Sequence, residues 1–397
     1  MTRADPADRA AFHARDRFRA RIGEALGVAP SQVSLFARGR VALYAILRAL
    51  DLRPGDEVIL PAFTCVAVPN AVLYAGARPV WADIDPATLC LDIAAAEAAV
   101  TSRTRAILAQ NTFGLSADID GLAAVAARAG ATLIDDCTHG LGGEYRGRPN
   151  GAAAPVAFFS TQWSKPISTG LGGFAVAQSD AVADRLRELE ASAVEPSELR
   201  VLALRGLIRG RELVGTGAVF RAGRSAYRAT SRLGLLPASS DRDELAGTTM
   251  PDGFVARLSE AQARIGSDRL ATLPRLVAAR REIAGRYSGW LLQHGRTAAS
   301  ESAGMEHAFL RYPLRTRDRN GFQAAAARAG VDLGDWFVSP VHPVTDGLDR
   351  WGYRIGTAPQ AEQACREIVN LPTDPSMGPT DIQRVLALLD ANVGLVA

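Results

Sequence analysis

The chain has 397 residues, 48% of them hydrophobic and 22% charged, as is usual for globular proteins. Its net charge of +3 gives no reason to expect nucleic-acid binding, and no segment approaches the roughly 20 apolar residues that a membrane span needs. At about 150 residues per domain, this length predicts two or three domains.

The four cysteines are widely separated and show no C-x-x-C spacing, so neither a disulfide framework nor a zinc site is predicted. The start of the chain is rich in arginine, but its acidic residues argue against a transit peptide, and it lacks the apolar core of a signal peptide. We therefore expect the protein to work in the reducing cytoplasm.

Residues 40–180 alternate between short apolar runs and helical patterns. The runs predicted as strands are 56–63, 78–85, 105–112, 131–137, 156–161 and 173–178. Between them, helical spacing covers 41–52, 66–76, 91–100 and 118–130. Several of the runs are continuous and β-branched, as in a sheet covered on both faces. The repeat therefore predicts an α/β domain with a mostly parallel sheet.

The composition changes near residue 190. Residues 198–232 contain eight arginines and two glutamates, a local charge of +6 in a chain of +3, so the remainder sums to −3. Residues 237–253 are predicted to form an exposed loop, and 258–291 have a long helical pattern. The predicted domains are a large one, 1–265, with an Arg-rich helical insert at about 190–250, and a smaller C-terminal α+β one, 266–397.

Lys165 is the only lysine in the sequence, and arginine supplies the other 44 of the 45 Lys and Arg side chains. A lysine amine whose pKa is depressed by burial or nearby cations can attack a carbonyl and form a Schiff base, whereas guanidinium stays protonated. Lys165 follows the predicted strand 156–161, where α/β proteins place their sites. We predict that it is catalytic; the alternative is a surface lysine retained by chance.

Asp135 and Asp136 end the predicted strand 131–137. Successive strand residues face opposite sides, so only one of the two is expected to point into a site. Cys137 and His139 nearby raise a metal cluster as the alternative, but the other histidines show no matching spacing, and no metal site is predicted. A strand-end carboxylate with an imine-forming lysine fits pyridoxal phosphate better, because the acid keeps the pyridine nitrogen protonated.

Gly39 precedes a predicted helix whose first turn covers about Arg40 to Leu43. The free N–H groups and positive dipole end of a helix start bind phosphate, and Arg40 adds a charge. By contrast, GLGGFA at 170–175 formally matches a dinucleotide motif but leads into a predicted strand rather than a helix. We expect these glycines to allow close backbone approach near Lys165.

These elements resemble the DegT/DnrJ/EryC1/StrS family of pyridoxal-phosphate-dependent sugar aminotransferases, members of fold type I. The resemblance runs from about Gly39 to Gln178 and returns from Arg257 to the end. The segments that carry it are LRPGDEVILPAFTCVAVPNAVLYAGARPVWADIDPATL, LIDDCTHGLGGEYRGRPNG, FFSTQWSKPISTGLGG and AEQACREIVNLPTDP. It implies pyridoxal 5′-phosphate as cofactor, an amino donor and a keto acceptor as substrates, and a homodimer with shared active sites.

The resemblance also implies roles for individual residues. Lys165 is the Schiff-base lysine, which later moves a proton between substrate and cofactor, Asp136 holds the pyridine nitrogen, and His139 contacts the ring or its 3′ oxygen. Ser160 binds the cofactor phosphate. The remaining positions belong to the phosphate-binding helix start (Gly39, Arg40, Val41), the ring-stacking slot (Cys65) and the substrate side (Arg257, His342).

Four positions depart from the family pattern. Arg40 replaces a threonine hydroxyl that binds the phosphate, and Cys65 replaces a stacking aromatic residue. Leu171 replaces an acidic residue, and Val255 replaces an asparagine that reaches the phosphate from the neighbouring subunit. The residues of the imine chemistry are kept, so the departures concern the substrate and the net reaction.

The leading hypothesis is an aminotransferase that moves an amino group from glutamate or glutamine to a keto group of an activated sugar or related polyol, in glycan or natural-product biosynthesis. The alternatives are a lyase or dehydratase with the same cofactor and a non-catalytic family member. The positive charge of residues 198–232 suits binding to a diphosphate, to a membrane surface or to an acidic carrier protein. The alternative is that these residues form a solvated helical hairpin at a dimer edge.

Overall fold

The computed structural model describes residues 6–214, 242–299, 301, 304–334 and 336–397. The helices of these residues are α1 (Pro6–Leu26), α2 (Gly39–Ala49), α3 (Ala67–Tyr74), α4 (Ile93–Ala98), α5 (Ile119–Ala129), α6 (Asp180–Ser192), α7 (Glu198–Val214), α8 (Arg242–Ala246), α9 (Glu260–Leu270), α10 (Leu273–Gln293), α11 (Arg319–Arg328), α12 (Pro359–Glu367) and α13 (Pro379–Ala391). The strands are β1 (Val33–Phe36), β2 (Glu57–Pro61), β3 (Thr64–Cys65), β4 (Arg78–Ala82), β5 (Thr104–Gln110), β6 (Thr132–Asp136), β7 (Glu144–Tyr145), β8 (Arg148–Pro149), β9 (Val156–Ser160), β10 (Gly173–Ala177), β11 (Met305–Glu306), β12 (Tyr312–Arg315), β13 (Val341–His342) and β14 (Ile368–Leu371).

A seven-stranded sheet forms the centre of the large domain, in the order β1-β10-β9-β6-β5-β2-β4. The pairs from β4 through β2, β5 and β6 to β9 are parallel, while β10 and β1 pair antiparallel at one edge. Strands β2, β9 and β10 are buried along their whole length, as expected when helices cover both faces. The predicted α/β class and mostly parallel sheet are confirmed.

All six predicted strands and the four predicted helices between residues 40 and 130 are present, with ends shifted by a few residues. Strand β1 was missed because VSLF is short, buried at every position and without alternation. Helix α1 was also missed; it packs on α9, where Gly266 makes room for the fully buried Phe18 ring.

Two expectations for the second half of the chain were wrong in detail. The helical pattern of 258–291 is two helices, α9 and α10, separated at Ala271 and Thr272 before a proline at the start of α10. The expected exposed loop 237–253 contains helix α8, and Glu244 within it is buried. Of the Arg-rich insert, residues 215–241 lie outside the described residues.

The C-terminal part contains the antiparallel pair β12–β14 with α11, α12 and α13. A separate parallel pair, β3–β13, joins it to the large domain beside the carboxyl ends of the central strands. The domain boundary near residue 265 stays a prediction. Over the described ranges, no helix combines the length and the apolar character needed to cross a membrane.

Candidate functional site

Lys165 lies in the loop that joins β9 to β10. The loop is closed on itself, since the Thr161 and Thr169 hydroxyls are 2.7 Å apart and the Lys165 N–H donates to the Gln162 carbonyl at 3.0 Å. Helix α9 packs against this loop, because Gln262 donates a hydrogen bond to the Leu171 carbonyl and Arg269 donates one to the Ser168 carbonyl. The loop therefore presents Lys165 from a fixed backbone.

The Lys165 amine faces a pocket at the carboxyl ends of the parallel strands, with Asp136, Cys65 and Arg40 on the same wall. Burial lowers the pKa of Lys165 to about 8; Cys65 and Asp136 oppose this shift and Arg40 adds to it. The amine is thus neutral, and nucleophilic, in a larger fraction of molecules near pH 8 than an ordinary lysine would be.

The two aspartates at the end of β6 separate as predicted. Asp136 lines the pocket, and its Oδ1 accepts the Thr138 N–H at 2.9 Å. Asp135 points away and accepts hydrogen bonds from Asn111 Nδ2 at 2.7 Å and from the Gly151 N–H at 2.8 Å. Burial raises the pKa of Asp136, while the Thr138 hydrogen bonds and Lys165 lower it. Asp135 is a structural residue that fixes the strand end.

We call the pocket end formed by Arg38, Gly39, Arg40 and Ser160 the phosphate corner. Helix α2 begins there at Gly39, and a Cβ on Gly39 would lie 2.9 Å from Ser160 Cβ. A Cβ on Gly173 would lie 2.4 Å from the Gly39 nitrogen, so both positions require glycine, Gly39 because of Ser160 and Gly173 because of Gly39. The predicted close approach at the glycines after Lys165 is therefore confirmed.

The helix start offers backbone N–H groups to an anion, because the first turn of a helix has no intrahelical acceptors for them. Ser160 adds a hydroxyl at the end of β9. Val41, also predicted to bind phosphate, is fully buried, and its N–H donates to the Arg38 carbonyl at 3.2 Å. Gly39 and Arg40 are thus better placed than Val41 to offer an N–H.

Sequence reasoning missed Glu244, which approaches the phosphate corner from α8. Its carboxylate pairs with Arg40 and lies 3.7 Å from Arg38 Nη1. The Glu244 side chain is 1% exposed, against 8% for Arg40 and 11% for Arg38. A glutamate in a polar segment with Asp, Arg and Gly neighbours gives no local signal of burial, and only the fold brings it here.

His139 lies beside the pocket with its ring flanked by aromatic side chains. Its Nδ1 accepts the Phe113 N–H at 3.2 Å, so the proton of the neutral ring sits on Nε2. Trp336 stacks on it, with ring centroids 4.6 Å apart and planes at 8°. Burial, with Lys165, Arg311 and His342, lowers the pKa of His139 well below its usual value. The ring is therefore a neutral donor through Nε2.

Sequence reasoning missed Phe337, which lines the pocket, and Trp336, which lies beside it. Phe337 lines the pocket, and the Trp336 ring centroid is 4.9 Å from Lys165 Nζ. The Trp336 N–H donates to Asn370 Oδ1 at 3.1 Å, which ties this wall to β14. Two adjacent aromatic residues in the C-terminal half are a sequence signal for a binding surface, but nothing in the local sequence indicates that they lie near Lys165.

Cys65 and His342 are neighbours across the β3–β13 pair. Cys65 lines the pocket and is half-buried. His342 lies one strand further out; its ring contacts Phe337 edge-on, and its Nδ1 accepts the Val338 N–H at 3.3 Å. Cys65 is thus in the pocket, as predicted, and His342 lies at its margin.

The structure places Arg257 elsewhere. It lines a separate surface hollow with Arg19 and Glu190, and its Nη1 pairs with Glu195 Oε1 at 2.9 Å. Arg257 is not among the described residues that line the Lys165 pocket. Within one chain it does not meet Lys165, so its predicted substrate role requires a second subunit.

Leu171 has a structural explanation in α7. It is 4% exposed and forms a small buried cluster with Leu204 and Ile208, against which Trp163 and Ile265 pack. An acidic side chain would be desolvated here, so the apolar residue follows from the helix that covers it. Val255 is partly buried against the main core.

The residues present suit pyridoxal phosphate. The phosphate corner offers N–H groups, a hydroxyl and a guanidinium, Asp136 offers a buried carboxylate, and Lys165 a reactive amine. These groups line one pocket that is partly open to solvent. By contrast, no group of three His, Cys, Asp or Glu side chains in the described ranges is arranged to hold a metal ion.

The chain matches the DegT/DnrJ/EryC1/StrS aminotransferase family over residues 13–210 and 217–390. It is 31% identical over 374 residues to the L-glutamine:2-deoxy-scyllo-inosose aminotransferase of Streptomyces lividus, covering 88% of this chain and 79% of that one. It is 36% identical over 281 residues to the L-glutamine:scyllo-inosose aminotransferase of Streptomyces griseus, covering 70% and 58%.

Solved structures show the same fold. The aminotransferase TlmJ from Streptoalloteichus hindustanus superposes with a TM-score of 0.74 at 24% identity, covering 99% of this chain and 97% of that one. The family match and the fold of the solved structures indicate the same class of protein. The chain belongs to the DegT/DnrJ/EryC1/StrS family of pyridoxal-phosphate-dependent aminotransferases.

Proposed function

We propose that this aminotransferase moves an amino group from glutamine or glutamate to a keto group of a cyclitol or activated sugar, in glycan or natural-product biosynthesis. The observation that carries the proposal is the meeting of Lys165, Asp136 and Ser160 around one pocket at the start of α2. The two Streptomyces relatives, whose names specify glutamine and an inosose, support the donor and acceptor classes.

Each proposed role follows from the chemistry of the side chain concerned. When bound, pyridoxal phosphate supplies an aldehyde for the amino group and a ring that accepts electrons. With the cofactor bound, Lys165 would hold it through Nζ, and the amine, freed once the amino donor takes its place, would take and return the proton at the substrate carbon. Asp136 would keep the pyridine nitrogen protonated, and the Nε2–H of His139 would be a donor for the ring oxygen.

The phosphate corner would hold the cofactor through the N–H groups of Gly39 and Arg40, the Ser160 hydroxyl and the Arg40 guanidinium. Cys65 would pack on the ring. Val41 fixes the helix start by its burial rather than by a contact.

We also propose a homodimer with shared active sites, in which Arg257 reaches the substrate of the partner's site while His342 faces the substrate of its own. Two features of Arg257 support this. Arg257 lines a surface hollow, with 26% of its side chain exposed. Its Nε is buried and has no described hydrogen-bond partner. The test is subunit complementation: a mixed dimer of Arg257→Ala and Lys165→Ala should regain activity, and no recovery would contradict a shared site.

The Arg-rich insert is proposed to contact an anionic membrane surface or an acidic carrier. On α7, Leu199 is 81% exposed and Leu202 is 65% exposed, next to Arg200 and Arg205. An amphipathic pattern of this kind binds anionic surfaces. We propose a cytoplasmic location, which suits four free cysteines.

The direct test of the reaction uses the two half-reactions separately. The protein loaded with pyridoxal phosphate and given one equivalent of glutamine should yield one equivalent of keto acid and lose the visible absorption of the bound cofactor. Adding an inosose should restore the absorption and yield the amine. Loss of water from the acceptor without keto acid would favour a dehydratase, and no change with any donor would favour a non-catalytic protein.

A further inference from the structure

Helix α8 is fixed against the large domain on several sides. The Glu244 carbonyl accepts Asn70 Nδ2 at 2.8 Å, and Asn70 Oδ1 accepts Trp351 Nε1 at 2.6 Å. Arg350 donates to the Ala246 carbonyl, and Leu245 packs on the main core. These contacts bring the Glu244 carboxylate to the phosphate corner, where its ion pairs with arginine add to the docking of α8.

At the phosphate corner this carboxylate faces two guanidinium groups that also line the cofactor pocket. Arg38 and Arg40 flank Gly39 and are almost fully buried, so their charges repel in a site with little water. Glu244 offsets that repulsion. A phosphate monoester, which carries about −1.5 to −2 charge at pH 7, makes the same kind of contact with arginine.

We propose that Glu244 is a counter-ion supplied by the Arg-rich insert, which holds Arg38 and Arg40 until the cofactor phosphate takes its place. Binding of the phosphate and docking of α8 through Glu244 then oppose each other, because carboxylate and phosphate repel within one buried site. This inference rests on the proposed function, since it concerns the phosphate of pyridoxal phosphate. It makes the insert a regulator of cofactor affinity.

The test compares Glu244→Gln with the wild-type protein, both freed of cofactor, by titration with pyridoxal phosphate and with pyridoxal, which lacks the phosphate. We expect Glu244→Gln to bind pyridoxal phosphate about tenfold more tightly, a usual size for coupling between linked groups. Pyridoxal affinity should not change. Unchanged or weaker binding of pyridoxal phosphate, or an equal change for pyridoxal, would overturn the inference.

A matched control is Glu57→Gln. Glu57 is a fully buried glutamate that pairs with two arginines, Arg78 and Arg103, but it does not line the pocket. This variant should be less stable yet bind both ligands as the wild type does. If it also gained affinity for pyridoxal phosphate, the gain would come from general loosening, and the role of Glu244 would be refuted.

A second measurement needs no variant. Hydrogen exchange of the Arg242–Ala246 amides in the wild-type protein should rise on adding pyridoxal phosphate and stay constant with pyridoxal. Slower or unchanged exchange would contradict the competition. Titration with inorganic phosphate distinguishes failure of this inference from failure of the proposed function. If pyridoxal phosphate fails to bind at all, the proposed function is wrong. Tighter binding of inorganic phosphate by Glu244→Gln than by the wild type would still support the counter-ion role of Glu244, and equal binding would refute it.

Discussion

Replacing Leu171 with alanine tests whether α7 is part of the active-site scaffold. Leu171 lies six residues after Lys165 and is 4% exposed, in a cluster with Leu204 and Ile208. A Leu→Ala change in a core costs about 2–5 kcal/mol. Because this cluster is small, with three buried members among the described residues and Trp163 and Ile265 at its edge, we expect the low end, about 2–3 kcal/mol.

The measurement is urea unfolding of Leu171→Ala, Leu204→Ala and the double variant. If the two leucines pack on each other, the double variant loses less than the sum of the singles, by about 0.5 kcal/mol or more. Hydrogen exchange of α7 should rise in Leu171→Ala, because the helix loses its contact with the loop.

The control is Leu292→Ala, since Leu292 is 66% exposed and its truncation should change stability by about 0.5 kcal/mol or less. The reasoning fails if Leu171→Ala costs no more than Leu292→Ala, or if the effects at Leu171 and Leu204 simply add.

Three further outcomes follow from the pocket. Capture of pyridoxal by the cofactor-free protein should speed up with rising pH and level off above about 8, whereas an ordinary lysine would level off near its pKa of about 10.4. His139→Gln should remove no step near pH 6.5 from the activity profile, because burial holds the pKa of His139 well below that value; a lost step near 6.5 would contradict this. Asp136→Asn keeps an oxygen for the Thr138 N–H but loses the charge, so the glutamine half-reaction should slow roughly 100-fold while the cofactor still binds; an unchanged rate would contradict the role of Asp136.

The sequence sufficed for the parts of the fold with strong local signals. Continuous apolar strands and their helices were found because burial on both faces leaves few polar positions: β10 has none, and Glu57 in β2 and Ser160 in β9 stand at strand ends. Lys165 and Asp136 were predicted as site residues because their chemistry is unusual at a strand end, and the structure places both at one pocket. The short strand β1 was not predicted, because its four residues are all buried and show no alternation of apolar and polar positions.

Contacts that depend on distant segments were out of reach. Glu244 meets Arg40 across 204 residues, and Trp336 meets His139 across a similar separation. Neither residue type in its local context indicates such a partner. The reason for Leu171 likewise became visible only with α7 in place, because an apolar substitution does not reveal which element covers it.

The central claim is that Lys165 is the amine that binds pyridoxal phosphate, and borohydride trapping tests it most directly. Since Lys165 is the only lysine, reduction of the loaded protein should give one lysine adduct, in the peptide containing residues 158–174. Lys165→Ala should show neither the adduct nor the visible absorption of the bound cofactor. The same absorption in Lys165→Ala, or an adduct elsewhere in the wild-type protein, would contradict the account.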